Sequence, residues 1–175
     1  MRDVTDGVEV HIEGLRRYAF ALVGNMADAD DLVQESLRRA LSQIENQRKI
    51  EDWRAYLYAI LHNVFVSQVS RFGARSQISL DDNADRLFCS APQHAQIEFQ
   101  DLGRELLKLP ADQREVILLV GLEGLSYREV ADALDIPLGT VMSRLNRGRA
   151  ALRRAMSSAP AISGEEVPRS KADMA

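Results

Sequence analysis

Apolar residues in this chain recur every three or four positions, and no two Val/Ile-rich runs are joined by a hairpin turn. That spacing lays an apolar stripe along a helix and lacks the strict alternation of a half-buried strand. The expected fold class is all-α. Ile12, Leu15, Ala19 and Leu22 define a first helix over Val8 to Val23, closed by Gly24 and Asn25. Leu32, Leu37, Leu41 and Ile44 define a second that begins near Ala27, where Asp28, Asp30 and Asp31 suit the positive end of the helix dipole. Trp53, Leu57, Ile60, Leu61 and Val64 mark a third, running from Asp52 to Arg71. These three form one compact bundle.

After Phe72 the periodicity stops. The stretch to Pro92 mixes Gly, Ser, Asp, Asn and Pro and is read as a flexible linker, which divides the chain into two small helical domains. The boundaries are 1–71 for the first, 72–95 for the linker and 96–158 for the second. Helical spacing resumes at Ile97 with Leu102, Leu106 and Leu109, and Pro110 ends it. Asp112 and Glu115 then stand in capping-box spacing before the run Val116 to Val120, and Gly121 with Gly124 closes that helix. The tail, 159–175, is small, polar and Pro-containing, and is expected to be disordered in isolation. No internal repeat is present.

Charge is distributed unevenly. The 175 residues carry a formal net charge of -4, yet "IPLGTVMSRLNRGRAALRR", Ile136 to Arg154, holds five arginines and no acidic residue. Just before it, "SYREVADAL" has Ser126 and Glu129 in capping-box spacing and turns Val130, Ala131 and Leu134 inward. Pro137 then supplies the fixed φ tolerated at a helix start. Short helix, tight turn and longer helix make the helix-turn-helix plan. On a helical wheel Val141, Leu145 and Leu152 share one side with Gly148, which allows close packing. The other side presents Gly139, Ser143, Asn146, Arg147 and Arg154, flanked by Met142 and Arg144. Polar residues early on such a helix face base edges, and arginines match phosphates or guanine edges. A chain repelled by DNA as a whole thereby offers it one attractive surface.

Other classes find little support. Cys89 is the only cysteine, so no intramolecular disulfide is possible, and a reducing cytoplasm is the expected compartment. No apolar run approaches the roughly 18 residues of a spanning helix, so neither a signal peptide nor membrane insertion is expected. His11, His62 and His94 are scattered, and Cys89 with His94 falls short of a metal-ligand set. No Gly-rich phosphate loop and no nucleophile–base pair can be placed. The reading is therefore a non-enzyme without metal or cofactor.

Three motifs carry a family resemblance over nearly the whole chain except its tail. "REVILLVGLEGLSYREVADALDIPLGTVMSRLNRGRAALRR", Arg114 to Arg154, resembles the C-terminal DNA-binding domain of extracytoplasmic-function (ECF) sigma factors. "ADADDLVQESLRRAL", Ala27 to Leu41, resembles their polymerase-binding region, and "DWRAYLYAILHNVFVSQ" the segment that engages the -10 promoter element. The resemblance implies a dissociable specificity subunit of bacterial core RNA polymerase that recognises promoter DNA and is restrained by an anti-sigma factor. It implies polymerase docking through Asp28, Asp31, Gln34 and Glu35, the last three of which share one helix face. It implies -10 contacts from Asn46, Gln47, Arg48 and Lys49 and then Asn63, Ser67 and Arg71. For the -35 element it implies Tyr127, Gly139, Thr140, Met142, Ser143, Arg144, Asn146, Arg147 and Arg154. Met142 is a departure: the family most often has Lys or Arg there, so one phosphate or guanine contact is missing. A decoy that occupies an anti-sigma protein would need no DNA-facing arginines. A plain helix-turn-helix repressor would not need an N-terminal half of this kind.

Overall fold

The computed structural model describes residues 2–45, 50, 52–72 and 93–158. Its elements are the helices α1 (Arg2–Val23), α2 (Met26–Glu45), α3 (Trp53–Phe72), α4 (Gln93–Lys108), α5 (Ala111–Gly121), α6 (Tyr127–Leu134) and α7 (Leu138–Ser158). No strand occurs among the described residues, in line with the helical apolar spacing. Two helices start earlier than expected. Arg2 to Gly7 contains Val4 as its one large apolar residue, and Gln93 to Gln96 contains none, so no apolar stripe announces either first turn.

Leu15, Tyr18 and Leu22 of α1, Leu32 of α2, and Leu57, Leu61 and Val64 of α3 are fully buried and form the core of the N-terminal bundle. Each such side chain contributes about 1.5–3 kcal/mol relative to exposure. Between α1 and α2 the chain turns in two residues. Gly24 takes a φ of 84°, and Asn25 then caps α2: its Oδ1 accepts from the Asp28 amide at 2.8 Å while its Nδ2 donates to the Asp28 carboxylate at 2.7 Å. The dipeptide that ends one helix thus also starts the next.

The C-terminal core consists of Val116 and Leu119 of α5, Val130 of α6, and Val141 and Leu145 of α7, all nearly inaccessible. Ser126 and Glu129 form the expected capping box, with the Glu129 amide donating to Ser126 Oγ at 3.3 Å and the Ser126 amide donating to Glu129 Oε2 at 2.6 Å. Asp135 follows α6 in the left-handed region, φ 51°, a position that aspartate tolerates better than bulkier residues. The Pro137 carbonyl then accepts the first bonds of α7 from Thr140 and Val141.

The second expected capping box does not form. The residue before α5 is Pro110, no side chain caps the helix, and the Pro110 carbonyl takes the Gln113 and Arg114 amides. Asp112 instead pairs with Arg144 at 3.1 Å, and Glu115 lies 2.8 Å from the ring of His62. An ionic or buried partner from another helix outweighs a helix-end amide that water can satisfy.

The two groups of helices pack directly on each other, α3 against α6 and α1 against α4 and α5. Replacing Ser126 with Ala should lower stability by about 1 kcal/mol, the usual cost of losing such a cap. A urea unfolding midpoint that falls with an unchanged slope would report it.

Candidate nucleic-acid interface

The α6–turn–α7 unit is held by one side of α7. Val141 and Leu145 are buried there, Gly148 is buried and Leu152 half-buried. A Cβ at Gly148 would lie 2.4 Å from Ile117 Cδ1, so α7 approaches α5 more closely than a side chain at that position permits without a shift of Ile117. With that side occupied, the rest of the helix must face outward. Gly139, Met142, Ser143, Asn146, Arg147, Arg153 and Arg154 are exposed, and Thr140 is half-buried. Nothing lies within 4 Å of where a Gly139 Cβ would stand, which leaves room for a close approach at the first turn.

Arg147 folds back over its own helix, with Nε 3.3 Å from the Ser143 carbonyl and Nη2 3.4 Å from Ser143 Oγ. Arg153 does the same to the Arg149 carbonyl at 3.3 Å. Both contacts are long and solvent-facing, so either guanidinium can swing to an anion at little cost. Arg144 is different: Asp112 draws it to the α5 flank, and its side chain is only 24% exposed. Tyr127 is exposed at the first position of α6. Leu138, which sequence reasoning did not single out, joins Met142 as an exposed apolar residue on the flank of α7.

A second face lies between α2 and α3. Asp31, Gln34 and Glu35 line a groove together with Arg38, Arg39, Val64, Ser67 and Gln68. The groove therefore joins three of the four residues expected to dock polymerase to one of those expected at the -10 element. Asp28 stands outside it, held by Asn25. Asn63 is exposed on α3 and Arg71 belongs to its last turn. Asn46, Gln47, Arg48 and Lys49 lie outside the described residues. Glu35 is not a free charge: Arg38 donates to both its oxygens at 2.8 Å and Arg39 to one at 2.7 Å. Hydrogen bonds from these guanidinium groups pull its pKa from 4.5 down to about 2.

Between the two helix groups lies a polar junction that sequence reasoning missed. Glu123, in the loop after α5, has a side chain 4% exposed. Its carboxylate accepts from Arg17 Nε at 3.2 Å, from Arg17 Nη2 at 3.0 and 3.1 Å, and from the Tyr58 hydroxyl at 2.5 Å. Arg54 donates to the Glu123 carbonyl. Burial, then the hydrogen bond to Glu123, raises the Tyr58 pKa far above its ordinary value, so the phenol stays a donor. Tyr18 packs edge-on against Tyr58, with ring centres 5.3 Å apart, and its buried hydroxyl has no hydrogen-bond partner among the described residues. Partners 65 and 106 residues apart leave no trace in local periodicity. A signal was available in the string "EGLSY", where a charged residue sits inside an otherwise apolar and turn-forming run.

Residues 99–152 match the family described as Sigma-70, region 4, and residues 8–62 match the Sigma2 domain of PhyR. The chain is 37% identical over 147 residues to the ECF RNA polymerase sigma factor EcfG of Rhodopseudomonas palustris, covering 84% of this chain and 81% of that one. This chain belongs to the ECF sigma factor family. Among solved structures it is similar to the sigma factor RpoE of Bartonella quintana, crystallised with the anti-sigma factor NepR. There the TM-score is 0.73 at 29% identity, over 91% of this sigma factor and 99% of that chain. The anti-anti-sigma factor PhyR of Bartonella quintana shares its fold, with a TM-score of 0.58 at 16% identity; the match covers 86% of this sigma factor and 49% of PhyR.

The Glu35 cage makes a pH prediction for this sigma factor. A carboxylate with a depressed folded pKa adds stability that is fully present above the unfolded value near 4.5 and is lost as pH falls through about 2. In a carboxyl-carbon NMR titration Glu35 should be the late-titrating glutamate, and Arg38→Ala together with Arg39→Ala should return it to the ordinary range.

Proposed function

We propose that this chain is an alternative sigma factor that docks on core RNA polymerase through α2 and directs it to promoters with two separate DNA faces. The observation that carries the reading is α7: one side is buried against α5, and the other presents an acid-free, arginine-bearing surface. Its first turn contains no acidic residue, so its exposed amides and positive dipole add to the attraction for phosphate. Gly139, Thr140, Met142, Ser143, Asn146 and Arg147 meet the -35 element, with Tyr127 and Arg154 at its edges. Arg144 serves mainly to brace α7 against Asp112.

The -10 element falls to Asn63, Ser67 and Arg71 of α3 and to Asn46, Gln47, Arg48 and Lys49 before it. Capturing an unstacked base costs a few kcal/mol, which hydrogen bonds to its edge offset. Asp28, Asp31, Gln34 and Glu35 form the polymerase-docking face. Exposed Asp31 and Gln34 supply the free hydrogen-bonding groups, while Glu35 orders two arginines beside them. The family matches at 8–62 and 99–152 support a division into domains at 1–71 and 96–158. Nucleotide chemistry belongs to the polymerase, and the chain acts in the cytoplasm without being an enzyme.

An anti-sigma factor is the proposed inhibitor, since the Bartonella relative was crystallised with one. The match at 8–62 to a PhyR domain keeps a second reading in view, a decoy that occupies such an inhibitor. The exposed arginines of α7 favour the sigma factor, because a decoy has no use for a DNA face.

Run-off transcription with purified bacterial core polymerase and a library of upstream fragments tests the proposal. Defined starts that vanish without the chain are expected; polymerase binding with no start would favour the decoy. Arg147→Ala with Arg154→Ala should weaken promoter binding and reduce the log–log salt slope by about 2, while leaving polymerase capture intact. Asp31→Ala with Glu35→Ala should produce the converse.

A further inference from the structure

We infer that Leu138 and Met142 read thymine methyl groups, so that the -35 element is recognised in part by an apolar pair that makes no hydrogen bond to it. The inference rests on the proposed function of α7 and names a specificity that the polar residues beside the pair do not supply.

The fold leaves this pair unused. Leu138 is 39% exposed and Met142 44% exposed, and both stand outside the apolar core and the residues packed on it. One large apolar side chain in water is ordinary. Two of them four positions apart share one edge of a helix, within about 40° of each other and about 6 Å along its axis. Exposed Asn146 lies about 40° further round, and exposed Gly139 and Ser143 continue the outward face that this edge adjoins.

The character of the edge changes along its length. Beyond Met142 it carries Arg149 and Arg153, both exposed, with the Arg153 guanidinium 3.3 Å from the Arg149 carbonyl. A recognition helix enters the major groove with its N-terminal residues against base edges, while its C-terminal end reaches the backbone. The order along α7, apolar and then basic, matches the order base edge and then phosphate.

The chemistry of the base edges selects the ligand. Neither Leu138 nor Met142 offers a donor to phosphate or guanine, and an apolar group pressed on a phosphate would strip water from it without replacing the lost hydrogen bonds. Thymine carries the apolar substituent of the major groove, its C5 methyl, and apolar side chains meet it there. Met142, unbranched and with three rotatable bonds, adapts its sulfur and terminal methyl to such a target. A separation of about 6 Å spans about two base-pair steps at 3.4 Å each, so both methyls fall within a window of about three consecutive pairs.

Removal of single methyl groups from the DNA tests the pair. Full-length protein with core polymerase would be titrated against a promoter identified by the run-off experiment, with each -35 thymine on either strand replaced in turn by deoxyuridine. That change keeps the base pair and deletes only the methyl. One or two replacements inside such a window should weaken binding about threefold to fivefold each, the effect of leaving one methyl unburied, with an unchanged log–log salt slope. Leu138→Ala with Met142→Ala should erase the penalty at those positions and leave helical circular dichroism unchanged. Equal binding of thymine and uracil at every -35 position would overturn the inference, as would an element without an A·T pair. A penalty that persists undiminished in the folded double variant would also overturn it. Polymerase capture with no defined start would remove the sigma factor reading and this inference with it, whereas defined starts indifferent to the methyls would remove this inference alone.

Discussion

Removing a carboxylate from water costs several kcal/mol unless it is paired and hydrogen-bonded, and the relation between the two halves of this protein is organised around one such group. Glu123 is almost inaccessible and takes its donors from α1 and α3 of the other helix group. Those donors exist in the required geometry only because Leu15, Tyr18, Leu57 and Leu61 pack the N-terminal bundle tightly. Gly14 then leaves room for the incoming carboxylate. Core packing, backbone conformation and electrostatics thus meet at a single residue, beside the packing of α6 on α3.

The same separation of tasks governs α7. Its buried apolar residues are committed to the packing against α4, α5 and α6, and at Gly148 α7 meets α5 where a side chain would collide with Ile117. Once that side is fixed, the five arginines between Ile136 and Arg154 are sorted by geometry alone. Arg144 falls to the flank and is neutralised by Asp112, whereas Arg147 and Arg153 remain outward over their own backbone. A chain with a net charge of -4 can therefore bind a polyanion, because local field and helix dipole act at contact distance while the remaining charge is screened over about 10 Å.

Acidic residues divide in a similar way. The helix-face spacing of Asp31, Gln34 and Glu35 was legible in the sequence, and the structure puts all three on one groove wall. That Glu35 would be enclosed by Arg38 and Arg39 was legible only in part, since those residues also stand three and four positions away and pair locally. Asp112 and Glu115 show the opposite case. Their spacing matches a cap, but Arg144 and His62 compete for them from distant parts of the chain, and no local rule weighs that competition.

By itself the sequence determined the helices, most of their inward faces, the capping box at Ser126, and the family to which its three motifs belong. Each is local: a helix closes its bonds within four residues, so its face and its ends are written in short stretches. The tertiary structure alone decided which charges would be shared between helices and how the two halves would meet. Arg17, Tyr58 and Glu123 are ordinary residues until chain segments more than sixty positions apart lie side by side, and only then does burial turn them into a contact.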